Sequence, residues 1–123
     1  MSRLVICSAA LAAALASAAL AEVVDVYCGS FTPMRFRVAA AGLPPQARAD
    51  KAIDVINKYL GGKAPSITPK PEGKLIKLLI ERDVVAVVTE ADAKAEKAKN
   101  ARALAERWAA SLNKAFRETC AVK

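Results

Sequence analysis

Val84-Val85-Ala86-Val87-Val88-Thr89-Glu90-Ala91-Asp92 is the stretch on which the fold turns. Its first five residues are β-branched apart from one alanine, with no alternating polar position, so they read as a central strand buried on both faces. Thr89 and Asp92 then form a capping box: the Thr89 hydroxyl can accept from the Asp92 N–H, and the Asp92 carboxylate from the Thr89 N–H. Glu90 and Asp92 also suit the positive start of a helix. A buried strand running straight into a capped helix sets the expectation of a mixed fold.

Upstream, Leu75 to Glu81 is a second strand with Ile76, Leu78 and Ile80 on one face and Lys77 and Glu81 on the other. The short Arg82-Asp83 connection makes the two strands an antiparallel hairpin. Gly61 to Gly73 carries Pro65, Pro69 and Pro71 and reads as a loop, with room for a short strand around Ile67. Before it, Pro44-Pro45 opens a helix, since a proline in the first turn loses no hydrogen bond. Ala49, Ala52, Ile53, Ile56 and Leu60 form its apolar stripe, Asp54 and Lys58 an i,i+4 pair, and Gly61-Gly62 its stop. Val23 to Cys28 is strand-like, and Met34-Arg35-Phe36-Arg37-Val38 alternates strictly, placing both arginines on the face away from the core.

Downstream, the helix that starts at Thr89 is expected to run to about Glu118, roughly 45 Å at 1.5 Å per residue. Ala98, Ala101, Leu104, Ala105, Trp108, Leu112, Ala115 and Phe116 share one arc of its wheel. Lys94 and Lys97 violate that arc, so its first two turns should project past the sheet. The expected architecture is α+β: a small antiparallel or mixed sheet of three to five strands with two helices packed on one face, in the order ββαββα.

The chain has 123 residues and no histidine. One domain is its upper bound. Of the first 21 residues 17 are apolar; a basic start at Arg3, an apolar run from Leu4 to Leu20 and the small-x-small site Ala19-Leu20-Ala21 compose a secretory signal peptide. An uncleaved anchor is the alternative, and it wants about 20 strongly apolar residues where this stretch is mostly alanine. Residues 1–21 are thus expected to be removed, leaving 22–123 as a single domain that is periplasmic or secreted.

Cleavage after Ala21 removes Cys7 and leaves Cys28 and Cys120. In an oxidising compartment such a pair reads as one disulfide, closing a loop of about 90 residues at a chain-entropy gain on the order of 4 kcal/mol. Two reduced buried thiols are the alternative, which that compartment disfavours.

Catalysis and metal binding find little to work with. Histidine, the usual general base and metal ligand, is missing. The acidic cluster Glu90, Asp92 and Glu96 is accounted for in two of its three members by capping. Two isolated cysteines lack the number and spacing of a zinc site, and no run of acids resembles a calcium loop. Ser30, Ser66 and Ser111 stand in no activating context, and the five glycines form no phosphate-cradling loop. No cofactor, catalytic residue or metal ligand is therefore assigned. Trp108, Leu112 and Phe116 read as core packing.

After cleavage 18 basic residues face 12 acidic ones, a net +6. Arg35, Arg37, Lys63, Lys70, Lys74 and Lys77 are the candidate contacts for a polyanion. Export argues against nucleic acid and points to anionic envelope polymers or lipid headgroups.

Phe36-Arg37-Val38, the helix with Ala47-Arg48-Ala49-Asp50-Lys51-Ala52-Ile53, the run Val88-Thr89-Glu90-Ala91-Asp92-Ala93 and the later Leu104-Ala105-Glu106-Arg107-Trp108-Ala109 together carry a resemblance. Over residues 34 to 117 the chain is similar to the extracytoplasmic (periplasmic) domain of bacterial mechanosensitive channel proteins of the small-conductance type. Those proteins continue into transmembrane helices, whereas no second apolar span follows here. The resemblance implies a module without the pore and transfers no catalytic residue. Its implied role is a non-enzymatic accessory domain that binds a protein partner at the envelope, such as a channel-like membrane protein. Binding of an anionic polymer or lipid surface is the alternative, and an enzyme the third reading.

Overall fold

The computed structural model describes residues 23–120, so the expected signal peptide lies outside the described residues. The fold is α+β, with element order ββαβββαα. Strands β1 (Val24–Cys28) and β2 (Phe31–Phe36) form an antiparallel hairpin. Helix α1 spans Pro45–Tyr59 with Pro44 as its N-cap. Strands β3 (Ile67–Glu72), β4 (Leu75–Ile80) and β5 (Asp83–Val88) follow as an antiparallel meander, and helices α2 (Glu90–Ala95) and α3 (Ala101–Cys120) end the chain. Instead of one sheet there are two, β1-β2 and β3-β4-β5.

Both longer helices hold the two sheets together. Helix α1 packs on β1, β2 and β5, while α3 crosses β2, β3 and β4. The core between them takes Val26, Met34 and Phe36 from the first sheet, Ile76, Leu78, Ile80 and Val88 from the second, Ala49, Ala52 and Ile56 from α1, and Leu104, Trp108, Leu112 and Phe116 from α3. Each large member of that set stabilises the fold by roughly 1.5–3 kcal/mol through its burial. Phe36 meets Trp108 edge to face, with ring centroids 5.4 Å apart.

Four local expectations are corrected. Strand β5 is an edge strand, because β3 pairs on the far side of β4 and leaves β4 in the centre. Val84 and Val87 on β5 are accordingly half-buried. The β4–β5 turn is Glu81-Arg82, one residue earlier than expected, with Glu81 at φ 56°. The long helix is broken: α2 stops at Ala95, Lys97 takes φ 58°, and Asn100 restarts the chain by accepting the Ala103 N–H on its side-chain oxygen at 2.8 Å. Lys94 and Lys97, which sat off the apolar arc, lie at this break rather than on a projecting helix. Finally, Lys58 pairs with Asp83 at 3.0 Å instead of with Asp54.

Strand β3 shows why a proline-rich stretch can still enter a sheet. The Glu81 N–H donates to Ser66 O at 2.9 Å, and by the antiparallel alternation Thr68, Lys70 and Glu72 turn their N–H groups toward β4. Pro69 and Pro71 fall at the positions that face outward, where a missing N–H costs nothing.

Candidate functional site

The residues that looked most like chemistry meet where β5 ends. Thr89 caps α2 by accepting the Asp92 N–H at 3.1 Å, and Asp92 Oδ2 accepts the Thr89 N–H at 3.0 Å. The same carboxylate receives both arms of Arg48, from the first turn of α1: Nη1 donates to Oδ1 at 2.8 Å and Nη2 to Oδ2 at 2.9 Å. Arg48 also donates to Val38 O just past β2 and to Val87 O on β5, at 2.9 and 2.6 Å, and its guanidinium lies 4.3 Å from the Phe36 ring centroid. The Arg48 and Asp92 side chains are 5% and 2% exposed. Arg48 therefore satisfies two strand-end carbonyls and the charge of the cap together, and Asp92 is committed to architecture.

Sequence reasoning missed Arg48 as a partner of Asp92. It stands four residues before Ala52 and eight before Ile56, on the apolar stripe of α1, and a charge on that stripe was the available signal.

The other acidic candidates also serve the fold. Glu90 accepts the Ala101 N–H at 3.2 Å and ties α2 to α3. Glu96 accepts from Arg37 at 2.5 Å, and Arg107 lies 3.6 Å from its other oxygen. Beside this pair a cleft of about 180 Å³ opens between β2 and α3, lined by Thr32, Arg35, Trp108 and Ser111. Arg35 pairs at 2.9 Å with Asp25, its cross-strand neighbour.

The six basic candidates separate into two groups. Arg35 and Arg37, on the first sheet and its extension, are each held by a carboxylate. Lys63, Lys70, Lys74 and Lys77 surround the second sheet, and of these only Lys77 makes an ion pair among the described residues, with Glu72 at 3.1 Å. Lys63 lines a shallow depression of about 550 Å³ with Tyr59, Glu81 and Arg82.

At the rim of that depression the Tyr59 hydroxyl donates to Asp83, which Lys58 also contacts. The hydrogen bond from Tyr59, reinforced by Lys58, holds the Asp83 carboxyl below the usual carboxylate range. The same bond, with some loss of solvation, pushes the Tyr59 phenol above its ordinary value near 10.

On the second sheet, cross-strand register defines an outer face. Lys70, Lys77 and Val87 form one row; Thr68, Leu79 and Val84 form the next; Glu72 and Leu75 close the face at the β3–β4 turn, which carries Lys74. The opposite residues Ile76, Leu78 and Ile80 point into the core. Leu75, Leu79, Val84 and Val87 are half-buried and stand outside the core cluster, and Val84 and Val87 also line a small depression with Ala40, Leu43, Arg48 and Lys51.

Cys28 is buried at the end of β1, and Cys120 ends α3, its side chain outside the described residues. A Cβ placed on Gly29 would stand 2.8 Å from Thr119 Oγ1, so the neighbours of the two cysteines touch.

Among the described residues no group of three or more His, Cys, Asp and Glu side chains could hold a metal ion, and no helix is long and apolar enough to cross a membrane. A family model described as "Domain of unknown function (DUF8459)" matches residues 31–119. No curated protein and no solved structure matches the chain.

Proposed function

The chain belongs to the DUF8459 family of domains, and we propose that it is a non-enzymatic domain, exported to the periplasm or beyond, that binds a partner at the cell envelope. The observation that carries this reading is the outer face of the second sheet. A sheet face turned away from the core normally alternates to polar residues, yet the half-buried Leu75, Leu79, Val84 and Val87 stand there outside the core. Such a face keeps apolar surface available for an encounter.

The buried charges support the same reading from the other side. Arg48, Asp92 and Thr89 spend their hydrogen-bonding capacity on joining elements, so the polar residues nearest to a catalytic constellation are structural. Export rests on the N-terminal signal pattern, and the role at the envelope on the resemblance to extracytoplasmic channel domains.

Fractionation of cells producing the tagged full chain, followed by N-terminal sequencing, tests the export half of the proposal. A periplasmic or secreted protein beginning at Glu22 is expected; a cytoplasmic protein beginning at Met1 overturns it.

A further inference from the structure

We infer that the outer face of the β3-β4-β5 sheet docks on a bilayer surface rich in anionic lipid, with Lys70, Lys74 and Lys77 at the headgroups and Leu75, Leu79, Val84 and Val87 at the acyl boundary. The inference rests on the reading of the chain as an envelope-binding domain and names the partner of its outer face.

Charge comes first. Lys70 and Lys77 are direct cross-strand partners on this face. Like charges placed opposite one another weaken a sheet, so the fold gains nothing from the pairing. Lys74 adds a third cation at the same end, in the turn that follows Gly73. Glu72 is the acidic residue of these rows, and it is held by Lys77. An anionic partner would turn a local repulsion into an attraction.

Apolar residues narrow the partner further. A soluble polyanion would use the lysines and leave the exposed part of the half-buried Leu75, Leu79, Val84 and Val87 in water. A membrane interface takes both kinds of group, cations at the phosphates and aliphatic carbon below them. Shape agrees with this. The face is a three-stranded sheet surface, and the clefts of the molecule that hold Arg35, Arg107 and Ser111 lie elsewhere, between β2 and α3. An acidic peptide that added a strand at β3 would meet Pro69 and Pro71 at the outward positions, where no N–H is present to bind it.

The test is sedimentation of the protein, in the form recovered from cells, with vesicles of 30% phosphatidylglycerol in phosphatidylethanolamine and with neutral phosphatidylcholine vesicles. Variants share the same N-terminal segment, so their differences report on the sheet face alone. Binding to the anionic vesicles is expected, with a loss of about fivefold for Lys70→Gln and well over tenfold for the Lys70→Gln, Lys74→Gln, Lys77→Gln triple variant. Leu79→Ser should weaken binding as well, while Lys114→Gln on α3 should leave it unchanged. A thermal melt of Lys70→Gln no lower than that of the parent separates lost binding from lost folding.

Equal binding to neutral vesicles, or a triple variant that binds like the parent, overturns the inference. Loss with the lysine variants but none with Leu79→Ser also overturns it, in favour of a soluble polyanion. Unchanged vesicle binding alongside lost capture of a cross-linked envelope protein would sink the lipid surface and leave the broader binding role standing.

Discussion

Arg48 grips Asp92 with both arms of its guanidinium across 44 residues of chain, and the pair sits almost wholly out of water. Helix α1, the end of β2, the end of β5 and the start of α2 all meet at this contact. At this point the two sheets are joined into one domain.

Removing one partner should therefore be costly. Arg48→Ala leaves a buried carboxylate without its cation and two carbonyls without a donor, and a loss of about 3–5 kcal/mol is expected. Asp92→Ala should cost a similar amount, because it strands the guanidinium and removes the acceptor of the Thr89 N–H from the α2 capping box. The apolar double replacement Arg48→Met, Asp92→Leu should cost less than the two single changes added together, since no charge is then left unpaired. Urea unfolding of the parent and the three variants makes this comparison.

Much of the fold was legible in short-range pattern. The β4–β5 hairpin and the Thr89–Asp92 box each depend on residues a few places apart, where spacing alone fixes geometry. The joining of Arg48 to Asp92 depends on tertiary placement, which periodicity cannot supply. The break at Lys97 was half visible: two lysines off the apolar arc signalled trouble, and Asn100, a good cap three residues ahead of the next helical N–H, would have located the restart. The edge position of β5 was hidden because Val84 and Val87 look like core in any pattern count.

The Tyr59–Asp83 contact predicts losses of stability at both ends of the pH scale. Asp83 titrates lower in the fold than when unfolded, so its contribution is present above its unfolded value near 4 and is lost as the pH falls through the folded one. Tyr59 titrates higher in the fold, so its contribution is present below about 10 and is lost as the pH rises through the folded value. Tyr59→Phe should flatten both limbs of a stability–pH profile. A profile unchanged by the substitution would show that the bond contributes nothing.

Backbone conformation gives a pair of opposite outcomes. Lys97→Gly relieves a left-handed residue at an exposed helix end and should raise stability by up to about 1 kcal/mol. Gly29→Ala should lower it by about 1–2 kcal/mol, since φ is 65° and the new methyl would meet Thr119. Denaturation midpoints of the two variants, read at equal slope, decide both.

The proposed Cys28–Cys120 bond would fix the N-terminal hairpin to the end of α3, where Gly29 already lies against Thr119. Alkylation of the exported protein under denaturing conditions should leave both cysteines unlabelled until a reductant is added. Reduction should then cost on the order of 4 kcal/mol of stability. Two labelled cysteines in the unreduced protein would refute the bond.

The central claim, that the chain binds at the envelope through the outer face of its second sheet, is tested most directly by photocrosslinking in intact cells. A photoreactive residue replaces either Leu79 on that face or Glu106 on the exposed side of α3. The account predicts envelope adducts from position 79 and few from position 106. Adducts from position 106 with none from position 79 would contradict it.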